Sequence, residues 1–136
     1  MEPSTKTGRA RRGFTLLELM IVLVIMAILV SIAIPMYQAT IRTSNEAVLR
    51  NNLAELRKAI DAYTADKKKA PQALTDLVDG GYFRTIPSDP ITKSNETWEV
   101  AVAAFVISPD QTDSGIVDIH SGSTAVSSEG TPYNTW

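Results

Sequence analysis

Residues Phe14 to Pro35, FTLLELMIVLVIMAILVSIAIP, form an almost unbroken apolar run with one acid, Glu18, near its start and a proline at its end. As a helix this run is roughly 30 Å long, about one hydrocarbon thickness. Four cations, Lys6, Arg9, Arg11 and Arg12, precede it and none lies inside it. That bias predicts a cytoplasmic N-terminus, a single membrane crossing and an exported remainder. Other readings fit less well. A secretory signal peptide has an apolar region of roughly 7–15 residues before a small-residue cleavage site. This run is longer, carries an acid and flows into a helical pattern. A helix buried in a soluble core does not account for one-sided cations, and a plain signal anchor has no use for Glu18.

An ionised carboxylate inside a membrane helix costs roughly 2.5–3.5 kcal/mol and needs a partner. The acid belongs to the stretch Gly13-Phe14-Thr15-Leu16-Leu17-Glu18, directly behind the basic segment. With Pro35, this arrangement resembles type IV prepilins and type II secretion pseudopilins. The resemblance implies that a membrane-embedded prepilin peptidase cuts after Gly13 and methylates the new terminal amine of Phe14. It makes Glu18 and Pro35 the assembly residues of a polymerising helix. It further implies a homopolymer with other pseudopilins or pilins, built on an inner-membrane platform with a cytoplasmic ATPase. The protein would sit in the bacterial inner membrane with a periplasmic C-terminal domain, and in a periplasmic or surface filament after assembly.

The expected organisation is a leader at 1–13, a transmembrane and polymerisation helix at 14–35, its periplasmic continuation at 36–66, and a small globular domain at 67–136. Removing the leader takes away four cations and Glu2, leaving nine cations against 14 acids. An acidic mature chain argues against a nucleic-acid-binding surface. There is no cysteine, so disulfides, thiol catalysis and Cys-based zinc sites are excluded. Many type IVa pilins close a C-terminal loop with a disulfide, and this chain departs from that pattern.

Pro35 removes the bond its own N–H would give to the Ser31 carbonyl, so a kink or local opening is expected there. Beyond it, Leu49, Leu53, Leu56, Ile60 and Tyr63 recur at steps of four and three, one apolar stripe on a helix. Glu46 and Arg50 stand at a favourable i,i+4 spacing. The pattern predicts one helix from about Phe14 to about Asp66. Lys67-Lys68-Lys69 reads as its solvated end, where cations suit the C-terminus, followed by Pro71 as a stop. Gln72 to Asp79 reads as a short second helix ended by Gly80-Gly81, and Tyr82–Thr92 as an irregular loop. The order Ala62-Tyr63, short Leu-containing helix, Gly81-Tyr82 and Ile86-Pro87-Ser88-Asp89-Pro90 is similar to major pseudopilins of the GspG kind.

From Thr97 the pattern turns to strands: Trp98, Val100 and Val102 alternate with Glu99 and Ala101, and Phe105–Ile107 continues the run. Ile116, Val117 and Ile119 make another strand before the Ser121-Gly122 turn signal. Thr124–Trp136 is expected to add a third short strand pinned by Tyr133 and Trp136. The fold class is therefore α+β: a long N-terminal helix whose second half packs on a small antiparallel sheet, burying both apolar faces.

No enzyme signature appears. His120 beside Asp118 and Ser121 reads as a surface histidine, since a triad needs geometry that this spacing does not support. The Asn95-Glu96-Thr97 sequon is common by chance and is discounted. Major pseudopilins of the GspG kind bind Ca²⁺ in an Asp/Gly-rich C-terminal loop. Calcium wants six to eight oxygens from one flexible loop; here Asp110, Asp113 and Asp118 are weak candidates, and SSEGTPYNTW stands where the family has its Asp-Gly run. No cofactor is expected, with Tyr133 and Trp136 holding the tail by burying aromatic area. Two function classes remain, a filament subunit and a monomeric anchored binding module, and Glu18 favours the first. Within it a type II secretion pseudopilus subunit leads. The alternative is a type IV pilin or minor pilin serving adhesion, motility or DNA uptake.

Overall fold

The computed structural model describes residues 13–103 and 114–136. Its elements are α1 (Leu16–Lys67), α2 (Thr75–Asp79), β1 (Glu99–Val102), β2 (Ile116–His120) and a 3₁₀ turn at Tyr133–Thr135. The chain divides into two compact units, Met1–Gln38 and Ala39–Trp136. The fold is α+β and pilin-like, with a long apolar N-terminal helix and a small antiparallel sheet.

The first unit holds the N-terminal part of α1. It starts because Thr15 caps it: the Thr15 hydroxyl accepts the Glu18 N–H at 3.1 Å, satisfying one of the free donors of the first turn. Pro35 lies inside the assigned helix. α1 is helical on both sides of it, and the Ser31 hydroxyl donates to the Ile28 carbonyl at 2.7 Å.

In the second unit the predicted stripe is the core. Leu49, Leu53, Leu56, Ala59 and Ile60 are buried, and they cluster with Leu77, Trp98, Ile116, Ile119 and Tyr133, while Tyr63 packs half-buried against them. α1 ends at Lys67, and Lys68 adopts the left-handed region at φ 57°. The three lysines are exposed, and Ala70 and Pro71 turn inward.

α2 is shorter than Gln72–Asp79. The Asp76 carboxylate accepts the N–H groups of Gln72 and Ala73 at 2.7 and 3.1 Å, so these residues form a side-chain-closed turn ahead of the helix. Gly80 and Gly81 end it as expected, Gly81 at φ 80° with its N–H on the Val78 carbonyl.

The sheet pairs β1 with β2, Val100 opposite Ile119 and Glu99 opposite His120, with an irregularity between Ala101 and Val102. β2 carries the core positions Ile116 and Ile119, whereas Val100 and Val102 are 42% and 59% exposed. The expected burial of both apolar faces therefore holds for β2 and not for β1: loop, tail and α2 residues close the rest of the core. The continuation Phe105–Ile107 lies outside the described residues. The tail makes no third strand. It has an isolated bridge between Val126 and Pro132 and then the 3₁₀ turn, because Pro132 supplies no N–H for a ladder.

The loop from Tyr82 to Thr92 is irregular, as expected, and tightly held. Buried Asp89 accepts the Ile91 N–H at 2.8 Å and the Ser121 hydroxyl. The Trp98 indole donates to the Pro87 carbonyl at 2.8 Å, which satisfies its one polar atom.

Candidate functional site

The site residues expected from sequence fall in two places. In the first unit, Gly13 has open space around the position a Cβ would take, and Phe14 is 84% exposed. Every large apolar side chain from Phe14 to Tyr37 is exposed, the least of them Val22 at 44%. By length and composition the helix is long and apolar enough to cross a membrane. So much exposed apolar surface marks a helix made to be covered by lipid or protein.

Glu18 is exposed in this first turn. Thr15-Leu16-Leu17-Glu18 is a capping-box pattern, and an acid here also complements the helix dipole. Sequence reasoning passed over that local role, although Ser/Thr three residues before Glu is its signature. Pro35 sits within α1.

In the second unit the last dozen residues are fastened to α1. Glu46, 5% exposed, accepts the Ser128 N–H at 2.7 Å, the Ser128 hydroxyl and the Tyr133 hydroxyl at 2.8 Å. Arg42 lies 3.5 Å from the same carboxylate and donates to the Val126 carbonyl. Burial pushes the Glu46 carboxyl up, but the bonds from Ser128 and Tyr133 and the Arg42 charge outweigh it, and the group titrates below its ordinary value. The same burial, with the bond to Glu46, raises the Tyr133 phenol.

The expected Glu46–Arg50 pair is replaced. Arg50 pairs with Glu129 and stacks over the Trp136 ring, 4.4 Å from its centroid. Trp136 also meets Tyr133 edge to face at 5.2 Å. Both aromatics therefore pin the tail, as expected, but within a polar network that the sequence did not announce.

Asp110 and Asp113 lie outside the described residues. Asp118 is held by Arg57, whose Nε is 2.7 Å from Oδ1, and the same oxygen accepts the Ile119 N–H at 2.7 Å. Burial raises the Asp118 carboxyl, yet these bonds and the Arg57 charge leave it below its ordinary value. A cation at Asp118 would meet the charge of the Arg57 guanidinium. Among the described residues no group of three or more His, Asp or Glu could hold a metal ion.

The half-buried His120 ring places Nδ1 2.6 Å from the main-chain oxygen of Trp136 and Nε2 3.6 Å from Asp118. The Ser121 hydroxyl donates to Asp89, so it is engaged on the other side and forms no triad with His120.

The prokaryotic N-terminal methylation motif matches residues 8–34. Over 96 residues the chain is 33% identical to the Type II secretion system core protein G of Klebsiella pneumoniae, covering 59% of this chain and 69% of that protein. The protein of the same name from Aeromonas hydrophila is 33% identical over 98 residues, covering 60% of this chain and 68% of the relative. The Type IV major fimbrial protein FimA of Dichelobacter nodosus is 38% identical over 77 residues, covering 53% of this chain and 49% of its own. No solved structure matches the chain.

Proposed function

The chain belongs to the family of the type II secretion system core protein G, and from that we propose that it is a pseudopilin, the structural subunit of a secretion pseudopilus. The carrying observation is the match of the methylation motif at residues 8–34 to the start of a helix whose large apolar side chains are all exposed as far as Tyr37. Prepilin peptidase removes residues 1–13 and methylates Phe14. The helix holds the protein in the inner membrane by one pass, with residues 36–136 in the periplasm. A platform with a cytoplasmic ATPase then drives the processed chains into a polymer with one another and with other pseudopilins, and no catalytic step and no calcium is required of the subunit.

Glu18 carries assembly. In the membrane its carboxylate is a burden; in the polymer it pairs with the terminal amine of a neighbouring Phe14, whose charge would otherwise be buried unpaired at several kcal/mol. The test is Glu18→Leu in cells that make the filament. Normal membrane levels with few or no filaments are expected, because losing the acid eases insertion and removes the pairing. Polymer at the level of the unsubstituted protein would overturn the role of Glu18 in assembly, and a chain that never enters a filament would be a monomeric anchored module instead.

The similarity to a fimbrial protein favours a second reading, a type IV pilin or minor pilin. The two are separated by complementation: a pseudopilin restores protein export to cells lacking their own core protein G, whereas a pilin restores surface fibres.

A further inference from the structure

Four charged side chains of α1 turn to the same stretch of chain. Arg42 donates to the Val126 carbonyl, Glu46 accepts from Ser128 and Tyr133, Arg50 pairs with Glu129, and Arg57 donates to the main-chain oxygen of Trp136 at 2.7 Å. Steps of four, four and seven keep positions 42, 46, 50 and 57 in line along one helix face. The stretch they hold is closed on itself. The Ser127 N–H donates to the Thr131 carbonyl at 2.8 Å, the Tyr133 N–H to the Ala125 carbonyl at 3.0 Å, and the Ser127 hydroxyl accepts from the N–H groups of Glu129 and Thr131.

Apolar burial holds this piece at two residues: Tyr133 joins the core and Trp136 packs half-buried against it, while Val126 is 52% exposed. A segment with few buried apolar contacts and its own internal hydrogen bonds opens as a unit, at a free energy set by what fastens it. Here the fastening is charged, and bonds to charged groups are stronger than neutral ones.

We propose that residues 125–136 form a latch that opens and closes as one piece, clamped to α1 by Arg42, Glu46, Arg50 and Arg57 with Glu46 as its central catch, and closed without a bound ion. It stands on the contacts within residues 39–136 and is independent of the filament reading. Glu46 is central because it is buried and receives three donors, so no water replaces a lost partner.

Hydrogen exchange of the full chain in detergent micelles, resolved to the tail amides and to those of β1 and β2, tests this. Glu46→Gln keeps the shape and removes the charge; exchange at Ser127, Gly130 and Tyr133 should speed by about ten-fold or more, with the sheet rates retained. Tyr133→Phe keeps the ring and removes one donor, and should speed the same amides several-fold. Calcium or chelator should leave the tail rates of the unsubstituted chain unchanged. Equal acceleration of tail and sheet in Tyr133→Phe would make these contacts part of global stability and overturn the latch, as would unchanged tail rates. Tail protection that appears only with calcium would overturn the ion-free closure. If Glu46→Gln fails to fold, Tyr133→Phe decides.

Discussion

At the scale of single residues, two effects have opposite visibility. A Cβ at Gly122 would lie 1.9 Å from the Thr97 carbonyl oxygen, so Gly122→Ala must push two backbone segments apart. Overpacking of this kind costs about 1–3 kcal/mol, and a denaturant midpoint shifted down at unchanged m-value would register it. The sequence marks Gly122 only as a turn residue; the close approach comes from the loop residue Thr97, 25 positions earlier in the chain, and is not written locally. Glu46 and Asp118 give the second effect. Both carboxyls titrate below their ordinary values in the folded chain, so each contributes stability that is fully present above its unfolded pKa and is lost as pH falls through the lower folded one. Melting temperature should therefore be level near neutrality and fall below about pH 5. Glu46→Gln should flatten part of that fall; an unchanged acid limb in the variant would assign the loss to other groups.

At the scale of elements, what repeats along the chain was legible and what joins distant parts was not. The stripe Leu49, Leu53, Leu56 and Ile60 declares a helix face by its period, and α1 ends at Lys67 within a residue of where Lys67-Lys68-Lys69 and Pro71 suggest. The Glu46–Arg50 spacing misled because i,i+4 pairs are worth only a few tenths of a kcal/mol on a helix surface. A buried carboxylate with three donors from the tail outweighs that, and those donors are 82 and 87 positions away. β1 misled similarly: Val100 and Val102 alternate as a half-buried strand does, yet the core is filled from β2. These differences separate a core substitution from a surface one. Leu56→Ala, at a fully buried position, should cost about 2–5 kcal/mol. Val102→Thr, at a position 59% exposed, should stay within about 0.5 kcal/mol. Chemical denaturation of both in one detergent distinguishes a core face from a surface face, and equal losses would show that β1 is covered as well.

At the scale of the whole molecule, the question is what stabilises residues 39–136 in a chain without cysteine. The resemblance to major pseudopilins points to calcium, and the chain's own contacts point to the charged clamp on the tail. Calcium needs six to eight oxygens gathered from a flexible loop. Asp118, in β2, is already engaged by Arg57 and the Ile119 N–H, which leaves that strand without a free carboxylate to turn towards an ion. Both tryptophans, Trp98 and Trp136, report on this unit, the first from its core and the second from the tail. Their emission during heating of the full chain in detergent follows its melting without contribution from residues 13–38, which contain no tryptophan. A site saturated at 100 times its Kd would add about 2.7 kcal/mol and raise the melting temperature by several degrees. The expected outcome is the same melting temperature in millimolar calcium and in chelator. A rise of several degrees in calcium, abolished by Asp113→Ala, would place an ion-binding loop in this chain and return the family's metal to it.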